Sequence, residues 1–408
     1  MKKISLLVFF ISLLGCEKTD RPENKIKEDV SFLAGDKLEG RETGTKGEQE
    51  AATYIAKRFK EIGVEPKGIK GFLQVFTFKR KTDPHQEVKY STTSIDSTIT
   101  GTNVLGYIDN KANKTIVIGA HYDHLGFGAE GSLYKGEEKA IHNGADDNAS
   151  GVSVMLNLAS KLKQTNTSNN YLFIAFSGEE MGLLGSNYFV KNATIPLDSI
   201  NYMLNMDMVG RLKADSTLAV YGVGTSPVFK QVIIDNNDKF KIIEKESGVG
   251  PSDHTSFYLN DIPVLHFFTG QHEDYHRPSD DSELLNYEGM EAISTYIFDI
   301  ITDLDDDGEL GFQKTKNESD DAPRFKVTLG VMPDYMFDGK GMRLDGVTED
   351  KPAHKAGLQK GDIVIKIGEI EIVDMMSYMK ALSSFEKGNT AIVKFKREGT
   401  AIEAEVTF

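Results

Sequence analysis

Apolar residues along the chain fall into two alternating spacings. Ala52, Ile55, Phe59 and Ile62 recur at three- and four-residue intervals, which predicts an amphipathic helix over Lys46 to Ile62. Gly63 stands where a left-handed residue would end it. Thr115 to Gly119 is then a short apolar run ending at His121. Val152, Met155, Leu156 and Ala159 return to helical spacing in a segment that opens just after Asp147. Tyr171 to Phe176 and Tyr202 to Met206 are again strand-like, and end at Ser177-Gly178-Glu179-Glu180 and at Asp207. Ile262 to Phe268 leads through a loop toward His276, and a helical pattern from about Ser282 to Leu304 closes the region. Buried strand runs alternating with helices predict an α/β domain, a mixed central sheet flanked by helices on both faces.

Beyond Asp303 the pattern changes. Asp303 to Asp307 and Glu318 to Asp321 bracket an acidic stretch, so residues 305–322 read as a linker. Residues 323–408 then form a small β/α module. Its strands are expected near Arg324 to Leu329, Asp362 to Ile367 and Ala391 to Lys396, with a helix from Asp374 to Phe385 capped by Asp374. At the other end, Met1-Lys2-Lys3 precedes the apolar run Ile4 to Leu14, too short to span a bilayer. Leu13-Leu14-Gly15-Cys16 resembles a bacterial lipobox. The expectation is a signal peptide over 1–15, a lipidated tether over 16–25 and the main domain over 26–304. Export across the inner membrane would leave the protein anchored through Cys16 at the periplasmic face or in the outer membrane of a bacterium.

Composition narrows the chemistry. Cys16 is the single cysteine, which excludes an internal disulfide and a thiolate metal site. A net charge of −15 over 408 residues argues against sequence-independent nucleic-acid binding, which needs Lys and Arg to displace counterions. What remains is a series of carboxylates and imidazoles placed where the apolar runs end. Two zinc-like ions need a shared carboxylate, two more carboxylates and two histidines. His121, Asp147, Glu180, Asp207 and His276 supply that set. Asp123 follows His121 by two residues and could accept a hydrogen bond from its far nitrogen. If Glu180 binds metal, its neighbour Glu179 is left free to move a proton from a metal-bridging water. Taken singly, His124, His142, His266 and His272 read as structural histidines, and Ser252-Asp253-His254 as a pocket wall or a polar turn.

From about Val30 to Leu304 these motifs resemble the zinc aminopeptidase family, whose relatives include glutamate carboxypeptidase, glutaminyl cyclase and the transferrin receptor ectodomain. The resemblance implies His121 and Asp207 on one zinc ion, Glu180 and His276 on the other, Asp147 bridging them and Glu179 as general base. Asp147 rather than Asp146 takes the bridge because Asp147-Asn148-Ala149-Ser150-Gly151 is in register with the family's Asp-x-x-Ser-Gly. Tyr275 matches a position that donates to the tetrahedral oxyanion in some relatives. Glu39-Gly40-Arg41-Glu42-Thr43-Gly44 is similar to the family's entry segment. The C-terminal module resembles a PDZ domain through Thr328-Leu329-Gly330-Val331 and Ala356-Gly357-Leu358-Gln359-Lys360-Gly361-Asp362, which implies capture of a peptide C-terminus or docking on the main domain. The expected activity is removal of N-terminal residues from peptides. A carboxypeptidase, for which Arg211 or Arg277 would hold the substrate carboxylate, a glutaminyl-cyclase-like enzyme and a non-catalytic binding lipoprotein are the alternatives.

Overall fold

The structure, a computed structural model, describes residues 22–79, 90–91, 98–128, 131–165, 167–315, 327–334, 337, 339–348 and 350–408. The expected signal peptide, Cys16, the start of the tether, much of the linker and Arg324 lie outside them. The strands of the main domain are β1 (Glu65–Pro66), β2 (Leu73–Lys79), β3 (Tyr90–Ser91), β4 (Thr98–Ile108) and β5 (Thr115–His121). They continue with β6 (Asn170–Phe176), β7 (Ile200–Met206), β8 (Thr217–Tyr221), β9 (Lys241–Lys245) and β10 (Val264–Phe268). Nine of them run side by side in the order β3-β2-β4-β6-β5-β7-β10-β8-β9, and β1 pairs with β4. The central four, β6-β5-β7-β10, are mutually parallel, while β4 and β8 flank them antiparallel.

Among the described residues, seven α-helices accompany this sheet: α1 (Pro22–Leu33), α2 (Lys46–Ile62), α3 (Gly151–Lys163), α4 (Leu184–Lys191), α5 (Phe229–Asp235), α6 (His254–Tyr258) and α7 (Tyr287–Asp303). The two-residue period of the strands sorts their side chains between two cores. Ile116, Ile118, Ala120, Tyr171, Phe173 and Ala175 pack with α1, α2, α3 and α7 on one face. Val117, Leu172, Ile174 and Phe176 pack with Phe189 of α4 and Phe257 of α6 on the other. Both sides of β5, β6 and β7 are therefore buried, which is why these strands are nearly uninterrupted apolar runs.

Local signals set the helix ends. The side chain of Thr45 accepts from Glu48 N–H at the start of α2, and Gly63 (φ 87°) donates to Phe59 and Lys60 carbonyls at its end. The closing helix is shorter than its apolar pattern. Asn286 caps Gly289 N–H and starts α7 at Tyr287, and Ser282–Leu284 forms a separate 3-10 turn.

The C-terminal module is a second sheet with its own core. It comprises β11 (Val331–Pro333), β12 (Met342–Val347), β13 (Ile363–Ile367), β14 (Ile370–Glu371), β15 (Thr390–Arg397) and β16 (Thr400–Thr407). Helices α8 (Pro352–Lys355) and α9 (Met375–Ser383) complete it, and Asp374 and Ser377 form a capping box at α9. Of the strand expected near Arg324 to Leu329, residues 324–326 lie outside the described residues, and the first strand among the described ones is β11. Gly330 adopts φ 70°, which interrupts extension, so pairing begins at Val331.

Candidate active site

The four parallel strands end along one edge of the sheet, and α/β sheets bind ligands at that edge. The chain leaves β5 toward β6 on one side and returns to β7 on the other, so the crevice opens at β5. His121 is the last residue of β5, Glu179 and Glu180 follow β6, Asp207 follows β7, and Tyr275 and His276 follow β10. Asp147 arrives from a different direction, in the irregular turn before α3. Gly151 makes that approach possible: a Cβ there would lie 2.4 Å from Asn148 Oδ1 and 2.5 Å from the Met206 carbonyl. The Asp-x-x-Ser-Gly spacing thus closes α3 onto the end of β7.

The five expected ligands form two groups that share Asp147. His121 Nε2 lies 3.3 Å from Asp147 Oδ1 and 3.3 Å from Asp207 Oδ1. His276 Nε2 lies 3.2 Å from Asp147 Oδ2 and 3.3 Å from Glu180 Oε2. A tetrahedral zinc site with arms of about 2.0–2.1 Å has edges of roughly 3.3–3.4 Å, which the edges from His121 and His276 match. His124 is also within reach of the second group. Its Nδ1 stands 3.9 Å from Asp147 Oδ2 and 2.8 Å from Glu180 Oε1, the latter a hydrogen-bond length. His124, Asp147 and Glu180 bring one donor atom each within 4.8 Å of one another, so His124 as well as His276 is placed to complete the second set. The structural reading of His124 therefore needs correcting: it touches the site.

Asp123 is placed differently from expectation. Its carboxylate accepts Glu179 N–H at 3.1 Å and the Thr43 hydroxyl at 3.0 Å, and is 3.8 Å from His121 Nδ1. The atom nearest the far nitrogen of His121 is the Asp123 carbonyl oxygen, at 3.2 Å. Two donors already hold the carboxylate, so its hydrogen bond goes to the backbone of Glu179 rather than to the imidazole. Asp146 is committed elsewhere too, accepting Gly210 N–H at 2.6 Å and lying 3.1 Å from His272 Nε2.

Two further residues that sequence reasoning left without a role organise the site. Asp280 Oδ2 accepts the N–H groups of Asp146 and Asp147 at 2.9 and 3.1 Å, fixing the backbone that carries the shared carboxylate. Arg41 is fully buried and donates to the carbonyls of Tyr122, Leu33, Asn143 and Gly144, tying the segment after β5 to the one before Asp147. Ser252, Asp253 and His254 are buried beside the site, where Ser252 Oγ accepts from Asn205.

Burial and mutual charge drive the two neighbouring glutamates of the crevice apart. Burial raises Glu179 well above the usual range; His121 opposes this, and Glu180, Asp207 and Asp253 add to it. Burial, the largest influence, opposes ionisation of Glu180 and Asp147 adds to it, but the charge of His276 with the hydrogen bonds of His124 and His276 together draw that carboxyl down to about 2. Neighbouring glutamates are thus driven in opposite directions, one toward carrying a proton and the other toward holding a cation. Glu179 shares its cavity with the five ligands, Met208, Tyr221, His266, Phe268, Gln271 and Tyr275. The Tyr275 ring stacks on His276 with centroids 3.8 Å apart.

Residues 103–301 match the profile of peptidase family M28, and residues 308–408 that of the PDZ domain. The chain carries an M28 peptidase domain followed by a PDZ domain. Over the M28 domain it is similar to a probable leucine aminopeptidase of Trichophyton verrucosum (29% identity over 227 residues, 52% of each chain). It is also similar to aminopeptidase YwaD of Bacillus subtilis (30% over 208 residues, 47% of this chain and 42% of that one). The chain spans about half the length of the curated relatives it matches. Solved structures share the fold. An aminopeptidase from Aneurinibacillus sp. strain AM-1 aligns with a TM-score of 0.55 at 18% identity, covering 72% of this chain and 96% of that one. The glutaminyl cyclase of Porphyromonas gingivalis aligns at 0.53 and 18%, covering 70% and 97%.

Proposed function

We propose that the protein is a di-zinc aminopeptidase that removes N-terminal residues from peptides. The observation that carries this reading is the pair of donor triads joined at Asp147, with Glu179 in the same cavity. His121, Asp147 and Asp207 would hold one zinc ion, and Asp147, Glu180 and His276 the other. When bound, such ions supply Lewis acidity to the scissile carbonyl and make water at the site more acidic. Glu179 takes the proton from the attacking water and returns it to the leaving amine. Asp123 aims Glu179 by accepting its backbone N–H. Tyr275, held against His276, donates to the oxyanion that forms on the substrate. Met208, Tyr221 and Phe268 give the cavity an apolar wall suited to an uncharged N-terminal side chain.

The arginines favour an aminopeptidase over a carboxypeptidase. Arg211 is paired with Asp274 and bonded to the Leu284 carbonyl, and neither it nor Arg277 lines the cavity of the ligands. A guanidinium for a carboxylate one residue beyond the scissile bond is therefore lacking among the described lining residues. Hydrolysis of Leu-Gly-Gly by the zinc-loaded protein, and none of its N-acetyl form, is the expected result. Cleavage of the acetylated peptide would overturn the reading in favour of a carboxypeptidase.

We extend the proposal to location and partners. Cys16 would carry the lipid that anchors the protein to a bacterial membrane on its exported side, and a Cys16→Ser variant should lose incorporation of labelled fatty acid. The loop Thr328 to Val331, which contains Gly330 at φ 70°, would receive a peptide C-terminus on the PDZ domain.

A further inference from the structure

A groove runs between the M28 and PDZ domains, one residue away from a proposed metal ligand. Arg277, Leu133, Tyr134 and Lys135 line it from the M28 side, and Val347 and Thr348 from the end of β12. Its wall is tied to His276 twice: the ring Nδ1 bonds the Gly131 carbonyl at 2.9 Å, and Leu133 N–H donates to the His276 carbonyl at 3.0 Å. His276 itself has φ 55°, a left-handed conformation that an L-residue adopts at some cost. The side chains of 276 and 277 consequently serve different spaces, the imidazole in the ligand cavity and the guanidinium in the groove.

The groove is cationic in an otherwise acidic protein, 62 Asp and Glu against 47 Lys and Arg. Nearby cations are neutralised: Lys360 by Glu273 and Asp345, and Arg211 by Asp274. Lys135 and Arg277 are exposed and form no ion pair among the described residues. Two cations that form no ion pair among the described residues, in a groove whose wall is bonded to His276, call for an anion on the substrate's far side, and every unmodified peptide supplies one at its C-terminus.

We propose that this groove is a carboxylate subsite, in which Arg277 and Lys135 hold the C-terminus of a short peptide whose N-terminus lies at the metal ligands. The inference rests on the aminopeptidase reading for the direction of the peptide. It makes the protein selective for free-acid oligopeptides, and it gives the PDZ domain a part in shaping the substrate site separate from its own carboxylate loop. An extended chain covers roughly 3.3–3.6 Å per residue, so peptides of stepped length measure the span from the metal ligands to the groove.

Binding without turnover tests this. Leu-Gly-Gly and its tetra- and pentapeptide homologues, each as free acid and as C-terminal amide, are titrated into the zinc-loaded full-length Glu179→Gln protein. At one or more lengths the acid should bind about tenfold tighter than the amide, the ordinary worth of a charge-assisted hydrogen bond. That ratio should fall toward one when Arg277→Ala is added, and be reduced by Lys135→Ala. Equal binding of acid and amide at every length overturns the proposal. So does a ratio that survives Arg277→Ala, which would place the carboxylate elsewhere, the PDZ loop included. Failure of the aminopeptidase reading appears separately, as cleavage of N-acetylated peptides by the unmutated protein.

Discussion

His124 Nδ1 lies 2.8 Å from Glu180 Oε1 and leaves Oε2 to His276. A carboxylate held at one oxygen presents the other in a fixed direction, so in the proposed di-zinc site His124 would orient Glu180 toward its ion. Partners of this kind typically contribute 10–100-fold to metal affinity. His124→Ala should weaken zinc binding at the Glu180 position by a factor of that order, read by competition against a fluorescent chelator. Unchanged affinity would remove His124 from the site.

Arg41 is the structural keystone on the other side of β5. With four carbonyl acceptors served by one buried guanidinium, Arg41→Met leaves several acceptors without a donor. At about 1–3 kcal/mol for each buried group left unsatisfied, a loss of more than about 3 kcal/mol in unfolding free energy is expected in urea titrations. Arg41→Lys should recover little of it, because an ammonium cannot reproduce the fork geometry.

Glu48 gives stability a pH dependence independent of the ligands. It is buried and accepts from Gly44 N–H, Thr102 N–H, and the hydroxyls of Ser177 and Tyr122. Burial raises its carboxyl above the ordinary 4.5, and those hydrogen bonds only partly oppose the shift. A folded-state value above the unfolded one means the folded protein binds the proton more tightly. Its contribution is therefore complete below about pH 4.5 and declines as pH rises toward the folded value. Glu48→Gln lacks this decline. Plotted against pH, the stability of Glu48→Gln minus that of the unmutated protein should climb from pH 4 upward; a flat difference would contradict the account.

The strand ends, the carboxylates and imidazoles that converge on the crevice, and the long helices were legible because each depends on neighbours close in sequence or on a period. His121, Glu180 and Asp207 sit where apolar strand runs stop, Asp147 just before the apolar period of α3, and His276 beyond the loop that follows β10. What escaped reading depends on distant contacts. Asp280 serves Asp147 from 133 residues away, and the Arg41 acceptors at Asn143 and Gly144 lie 102 and 103 residues on. Nothing local marks either role. The direction of the Asp123 carboxylate was missed for the same reason, since Thr43 and Glu179 claim it from other segments. The β15–β16 hairpin could have been found: Glu398-Gly399, both at positive φ, is a two-residue turn between Arg397 and Thr400.

Metal removal should be felt by the whole M28 domain. Asp147, Glu179, Glu180 and Asp207 converge on one cavity, and cations bound there favour the folded state by mass action. At free zinc near 1,000 times Kd, one site adds about 4 kcal/mol. Chelation should lower the melting temperature of the M28 domain and leave a separate PDZ transition in place. Resistance of the M28 transition to chelator would contradict the assignment of the two triads.

The division of labour between Glu179 and Glu180 is the centre of the account, and Glu179→Gln tests it most directly. The substitution keeps size and shape while removing the proton carrier. We predict that the variant still binds two zinc ions per chain and that kcat on Leu-Gly-Gly falls by at least about 10²–10⁴. Turnover equal to that of the unmutated protein, at the same zinc content, would show that Glu179 is not the base.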